Sequence, residues 1–220
     1  MHIGLIGGIG PAATDFYYRR LITAAAAHNR DLDLTIVHAD ASTLLGNLIK
    51  DDHDAQCGIY RKLTNRLAAA GAQNVVVTSI AGHFCIDDFV QMSPLPVIDL
   101  IPALAKWIKN KGMQRVGILG TETVMRSGMY GKLAPLDVRA PQGSGLGLVH
   151  DAYVTLAQSG QPTEALRDTF LKAGNDMMAN GAEAILLGGT DLNAILDAES
   201  ATFPIVDCAG IHLDEIAGHI

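Results

Sequence analysis

Short runs of apolar, β-branched residues alternate with longer stretches in which apolar positions recur every three or four residues. That alternation is the pattern of βα units around a parallel sheet, so an α/β fold is predicted. Strands are expected at Ile3 to Ile6, Leu34 to His38, Asn74 to Thr78, Val97 to Ile98, Arg115 to Leu119, Ala184 to Leu187 and Ile205 to Val206. Continuous apolar runs of this kind suit strands covered on both faces. The clearest helical periodicity covers Ala12 to Ala27, Asp54 to Ala70, Ile101 to Lys111 and Thr163 to Asn180. Gly71 and Gly181 stand where left-handed stops would end the second and fourth of these helices.

The two halves repeat. Ile3-Gly-Leu-Ile-Gly-Gly matches Val116-Gly-Ile-Leu-Gly-Thr, and Gly71-Ala-Gln-Asn-Val-Val-Val-Thr matches Gly181-Ala-Glu-Ala-Ile-Leu-Leu-Gly. Helix stop, strand and following loop therefore recur at nearly one spacing, which predicts two similar Rossmann-like α/β lobes with parallel sheets. The expected division is 1–99 for the first lobe and 100–207 for the second, with 208–220 returning to the first.

Composition narrows the function. The 220 residues are 49% apolar and carry 16 basic against 23 acidic side chains, a formal charge of −7. An acidic chain without a Lys/Arg run lacks the cation cluster that nucleic acid requires, so no nucleic-acid partner is expected. No stretch approaches the roughly 20 apolar residues of a membrane span, and no membrane association is expected. The opening residues run straight into a strand without the basic region of a signal peptide, which predicts a cytoplasmic protein. Cys57, Cys85 and Cys208 are odd in number and match no metal-ligand spacing, so buried thiols rather than a disulfide framework or a metal site are expected.

In a parallel sheet the loops after the strands form the ligand crevice. Four such loops stand out: Gly7-Gly8-Ile9-Gly10-Pro11, Thr78-Ser79-Ile80-Ala81-Gly82-His83, Thr121-Glu122-Thr123 and Gly188-Gly189-Thr190-Asp191. Glycine-rich helix starts offer backbone N–H groups to a carboxylate or phosphate. The first loop matches a dinucleotide fingerprint poorly. Ala12 or Ala13 stands at the third glycine position, Pro11 lies inside the motif, and only Asp40 could be the ribose-binding acid.

Four ordered motifs carry a resemblance. Ile3-Gly-Leu-Ile-Gly-Gly-Ile-Gly-Pro-Ala-Ala-Thr14 with Tyr17-Tyr18, then Val116 to Tyr130, then Leu187-Gly-Gly-Thr-Asp191, then Phe203-Pro-Ile-Val-Asp207 with Ile211-His212, together resemble the aspartate/glutamate racemase superfamily over essentially the whole chain. The resemblance implies pseudo-twofold related lobes with an active-site cleft between them. It also implies cofactor-independent chemistry at the carbon alpha to a carboxylate, and a small carboxylate or amino-acid substrate. Homodimers are common in the family, and a homodimer is a possible state here.

In the family one thiolate removes the alpha proton while a second thiol delivers a proton to the opposite face. The first cysteine belongs in Cys-Asn-Thr-Ala-His, where this chain reads Ser79-Ile-Ala-Gly-His83. The second belongs in Gly-Cys-Thr-Glu, where this chain has Gly189. A hydroxyl is far less acidic than a thiol and glycine has no side chain, so two-thiol racemisation is not expected. Cys85 and Cys208 are the only nearby substitutes.

The resemblance assigns catalytic positions to Thr78 or Ser79, His83, Gly189 and Asp191, and substrate-binding positions to Gly8, Ile9, Gly10, Thr121, Ser127, Thr190 and His212. His83 at a helix start would be held neutral by the dipole, or would simply cap or pack. Asp191, one methylene shorter than the family Glu, would orient an acid or base, or cap the following helix. Thr121 and Ser127 could donate to a substrate carboxylate, and His212 stands at the family's closing histidine. Ala41-Ser42-Thr43 lacks the arginine that aspartate-specific members often present, which leaves no clamp for a distal carboxylate. His28, His38, His53, His150 and His219 belong to no motif.

Three readings follow. The first is an enzyme diverged from two-cysteine racemisation to isomerase, lyase or decarboxylase chemistry. The second is a carboxylate-binding pseudoenzyme, and the third an amino-acid racemase with non-cysteine bases.

Overall fold

The structure, a computed structural model, describes residues 1–220. The elements run β1 (His2–Gly7), α1 (Pro11–Ala27), β2 (Asp33–His38), α2 (Ala41–Lys50), α3 (His53–Ala69), β3 (Asn74–Val77), a 3-10 helix (Ile80–Cys85), α4 (Ile86–Met92), α5 (Leu100–Lys111), β4 (Arg115–Leu119) and α6 (Glu122–Arg126). After these come β5 (Asp137–Arg139), α7 (Gly145–Ser159), α8 (Glu164–Ala179), β6 (Ile185–Leu187), a second 3-10 helix (Thr190–Ala194), β7 (Ile205–Val206) and α9 (Cys208–Ala217). No helix is long and apolar enough to cross a membrane.

The chain folds as two compact units, Met1–Leu100 with His212–Ile220, and Ile101–Ile211. Each contains one parallel sheet. In the first unit the order is β2-β1-β3, extended by a single parallel bridge from Val75 to Val97. In the second it is β5-β4-β6-β7. The second, first, third and fourth strand segments of each half thus lie in the same order, as the repeated sequence predicts.

The repeat extends to packing. Leu67 of α3 presses so closely on β1 that a Cβ at Gly4 would lie 2.7 Å from Leu67 Cδ1. In the second unit a Cβ at Gly117 on β4 would lie 2.9 Å from the sulfur of Met177 on α8. A glycine at the same point of each central strand lets a helix approach the sheet at a distance that a side chain would prevent. The central strands are correspondingly buried: Ile3, Leu5, Val116, Ile118 and Leu119 are fully covered.

Local chemistry sets the helix boundaries. Gly10, in the left-handed region at φ 71°, turns the chain into α1, whose first residue is Pro11. The Asp40 carboxylate accepts from Thr43 N at 2.8 Å and caps α2, the role that this acid takes after β2. Asp52 caps α3 through Ala55 N, and Thr163 caps α8 through Leu166 N. Gly71 and Gly181 follow α3 and α8 with φ of 94° and 90°, conformations that a side chain would strain.

Candidate functional site

In the first unit the loop after β3 is anchored before it turns. Thr78 is fully buried; its hydroxyl donates to the carbonyl of Ile6 on β1 and lies 3.1 Å from the Thr14 hydroxyl on α1. Thr78 therefore joins strand to helix. Ser79 is the next residue and begins the 3-10 helix with an extended backbone, and no side-chain capping bond engages its hydroxyl. Its carbonyl accepts from His83 Nδ1 at 2.8 Å. Because a carbonyl can only accept, the neutral His83 ring carries its proton on Nδ1, which leaves Nε2 as the basic nitrogen. Nε2 lies 4.0 Å from Asp99 Oδ1, and the His83 residue is almost wholly buried. From beneath, the Tyr60 hydroxyl accepts from Gln56 Nε2 and donates to the carbonyl of Gly82, fixing the loop.

His212 lies beside this loop, its ring centre 6.1 Å from that of His83. Both of its nitrogens are engaged. Nε2–H donates to the carbonyl of Ile98 at 2.9 Å, and Nδ1 accepts from the Tyr17 hydroxyl at 2.8 Å. Burial, reinforced by the neighbouring His83 and opposed by the bond to Ile98, lowers the His212 pKa to about 3. The ring is a neutral tie between α1, the segment before α5, and α9. At the first glycine loop, Ile9 is buried and Gly8 approaches the carbonyl of Ala39 so closely that a Cβ would lie 2.9 Å from it.

In the second unit the same strand, turn and 3-10 helix recur. Gly188 donates its N–H to the carbonyl of Leu119, which draws the start of the loop against β4. Gly189 holds the place that Ser79 holds in the first unit, immediately before the 3-10 helix. The ring of Tyr153, from α7, occupies the space over Gly189; a Cβ there would clash with the ring and lie 2.6 Å from the Tyr153 hydroxyl. That hydroxyl donates to Asp191 Oδ2 at 2.9 Å, while the other carboxylate oxygen is buried without a hydrogen-bond partner. Tyr153 and Asp191 are each only 5% exposed. Burial pushes the Asp191 carboxyl above the ordinary carboxylate value, against the opposing bond from Tyr153. Burial, with the adjacent Asp191, also pushes the Tyr153 phenol well above its usual range.

The remaining polar positions in the second unit have local uses. Thr121 caps α6 by accepting from Val124 N at 3.3 Å. Ser127 donates to the carbonyl of Thr123 and accepts from Tyr130 N, so its hydroxyl is bound within its own turn. The carbonyl of Thr190 accepts from Asn193 Nδ2, and its side chain is buried. The sequence thus identifies Ser79, His83, Gly189 and Asp191 at equivalent loops of the two units. It does not single out Tyr153, Tyr60 or Asp99, and it places Tyr17 in a motif without giving its hydroxyl a role. The spacing of Tyr153 with Leu146, Val149 and Leu156 is that of a core face, and nothing local marks its hydroxyl.

No cysteine offers a ready thiolate. All three are buried. Cys57 donates to the carbonyl of Cys85, Cys208 donates to the carbonyl of Val206, and burial pushes all three thiols up. No group of three or more His, Cys, Asp or Glu side chains converges to hold a metal ion.

Comparison with known proteins agrees with this architecture. The family model for Asp/Glu/hydantoin racemase matches residues 6–216. A broad specificity amino-acid racemase of Bacillus subtilis is 22% identical, over 93% of this chain and 92% of its own. Among solved structures, a Yersinia pestis protein assigned as an Asp/Glu racemase superposes with a TM-score of 0.86 at 26% identity, over 100% of this chain and 99% of its own. An aspartate racemase homologue from Pyrococcus horikoshii gives 0.81 at 22% identity, over 99% of each chain. With the match covering nearly every element of both units, the chain belongs to the Asp/Glu/hydantoin racemase family.

Proposed function

We propose that this chain is a cofactor-independent enzyme acting at the carbon alpha to a carboxylate of a small acid or amino acid, with proton transfer by groups other than thiols. The observation that carries this reading is the buried Asp191 carboxylate, one of whose oxygens has no hydrogen-bond partner, two residues past the family's second cysteine position. A buried carboxylate with an unsatisfied oxygen costs stability. Packing alone therefore does not account for an acid at 191. His83 supports the reading from the first unit, since its tautomer leaves a basic Nε2 in the 3-10 helix that follows β3.

In this reading Ser79 donates its hydroxyl proton to the substrate carboxylate or to the enolate oxygen that forms as the alpha proton leaves. His83 Nε2 and the Asp191 carboxylate are the proton-holding groups of their respective units. Gly8, Ile9 and Gly10 in the first unit, and Thr121 and Thr190 in the second, are the residues assigned to holding the substrate. Ser127 and His212 are supporting residues, because their polar atoms already serve the fold. Thr78 likewise fixes the backbone that presents Ser79.

The test is proton NMR in D2O with the enantiomers of aspartate, glutamate and alanine, and with small dicarboxylic and hydroxy acids. Loss of the alpha-proton signal with inversion identifies a racemase with non-cysteine bases. A new product without inversion identifies a lyase, decarboxylase or other isomerase. In either case His83→Ala and Asp191→Ala lower the rate about 100-fold or more. Thermal stabilisation by one of these acids without exchange or product would replace the reading with a binding protein.

A further inference from the structure

The vacated second cysteine position is filled by the phenol end of the Tyr153 ring, with its hydroxyl 2.6 Å from where a Cβ at Gly189 would stand. Glycine at 189 and tyrosine at 153 are therefore one arrangement: any side chain at 189 would meet the ring. A residue needed only to fill that space could be phenylalanine. The phenol instead directs its proton at Asp191 Oδ2, 2.9 Å away, and the second oxygen of that buried carboxylate has no hydrogen-bond partner.

We propose that Tyr153 and Asp191 form a proton relay that replaces the second thiol, with the Tyr153 oxygen as the atom that exchanges a proton with the substrate carbon. This inference rests on the reading that the chain acts at the carbon alpha to a carboxylate. In the removal direction the Cα–H bond breaks and its electron pair stays on carbon, delocalised into the carboxylate. The proton bonds to the Tyr153 oxygen as the phenolic proton passes to Asp191 Oδ2. In delivery the steps reverse: Asp191 returns a proton to the phenol oxygen, the phenolic proton bonds to carbon, and no net charge is left on the phenol. The phenol never has to exist as a free phenolate, which its burial would make costly. The relay also uses the acid at 191, since a carboxylate there receives the proton that a lone tyrosine would have to give to water.

The test uses the full chain and the acid on which the wild type shows alpha-proton exchange. Tyr153→Phe keeps the ring over Gly189 and removes only the relay oxygen. It is expected to lower kcat about 100-fold while leaving KM within a few-fold. With a chiral substrate the loss of exchange should be confined to one enantiomer, because the relay serves one face, and Asp191→Asn should show the same enantiomer preference. A packing role would lower the melting temperature and affect both enantiomers alike. Exchange in Tyr153→Phe equal to wild type, or an equal loss on both enantiomers, overturns the relay and leaves the general reading standing. A wild type that exchanges no acid in the panel removes both.

Discussion

Tyr17 and His212, 195 positions apart in the sequence, are joined by a 2.8 Å hydrogen bond from the phenol to Nδ1 in the core of the first unit. The bond requires a neutral imidazole, because a protonated ring would have no lone pair to accept it. Folding therefore opposes protonation of this histidine. In the native protein its pKa is lowered to about 3, whereas an unfolded histidine titrates near about 6.5. Between those values the unfolded chain binds the proton and the native chain does not. The contribution of His212 is complete above the unfolded value and is lost as the pH falls toward the native one, with a slope approaching about 1.4 kcal/mol per pH unit. Denaturant unfolding at several pH values from neutral to about 4 should show this slope in the wild type and a shallower one in His212→Asn. Equal slopes in the two proteins would mean that another group carries the acid sensitivity.

Asp191 should show the opposite sign. Its native pKa is raised, so its contribution is fully present below the ordinary carboxylate value and is lost as the pH rises through the native one. Once the pH exceeds its native pKa, the wild type bears the cost of a buried charge that Asn would remove, while the amide oxygen could still accept from Tyr153. Asp191→Asn is expected to gain stability relative to the wild type as the pH rises, by about 1 kcal/mol where the carboxylate is ionised, with the difference closing in acid, and to lose turnover. Thermal melting across pH, measured beside the exchange rate, checks both halves. A variant less stable than wild type at pH 7 would show that the carboxylate serves the fold.

Restoring the family cysteine alone should not restore the family chemistry. Gly189→Cys would drive its Cβ into the Tyr153 ring, with a cost of about 1–3 kcal/mol. Adding Tyr153→Ala to Gly189→Cys removes the clash, and the double variant should be more stable than the sum of the two single changes predicts. A double-mutant cycle by chemical denaturation measures this coupling. An additive result would place the ring elsewhere in solution.

Much of this was legible in the sequence because it is local. The apolar runs at Ile3 to Ile6 and Arg115 to Leu119 are the central strands of their sheets, and the repeated segments point to the common strand order. Gly71 and Gly181 end their helices as left-handed residues. Less visible was β5, three half-buried residues in which Asp137 is held by Arg115 and Arg139 rather than by an apolar run. Two interior-facing helices, α2 and α7, carry Gly46 and Gly145 with Gly147, which weaken the helical signal. At the site, Ser79, Gly189, His83 and Asp191 could be aligned because each follows a strand. Tyr153 could not, because its relation to Gly189 exists only once α7 packs over the second 3-10 helix. The commitment of His212 to Tyr17 and to the carbonyl of Ile98 is a tertiary fact of the same kind, whereas Ser127 is bound within its own turn.

In the chemistry proposed for this family member, the alpha proton moves without a thiol. All three cysteines are buried with their thiols pushed up, so they should resist alkylation while the protein is folded. The most direct measurement is alpha-proton loss in D2O, by NMR, with the acid panel in the presence of excess iodoacetamide, alongside Cys57→Ala, Cys85→Ala and Cys208→Ala. Exchange on at least one acid is expected, at a rate unchanged by the reagent and kept in all three variants whose fold is intact. Exchange abolished by alkylation, or by loss of one cysteine in a variant that still melts cooperatively, would contradict it.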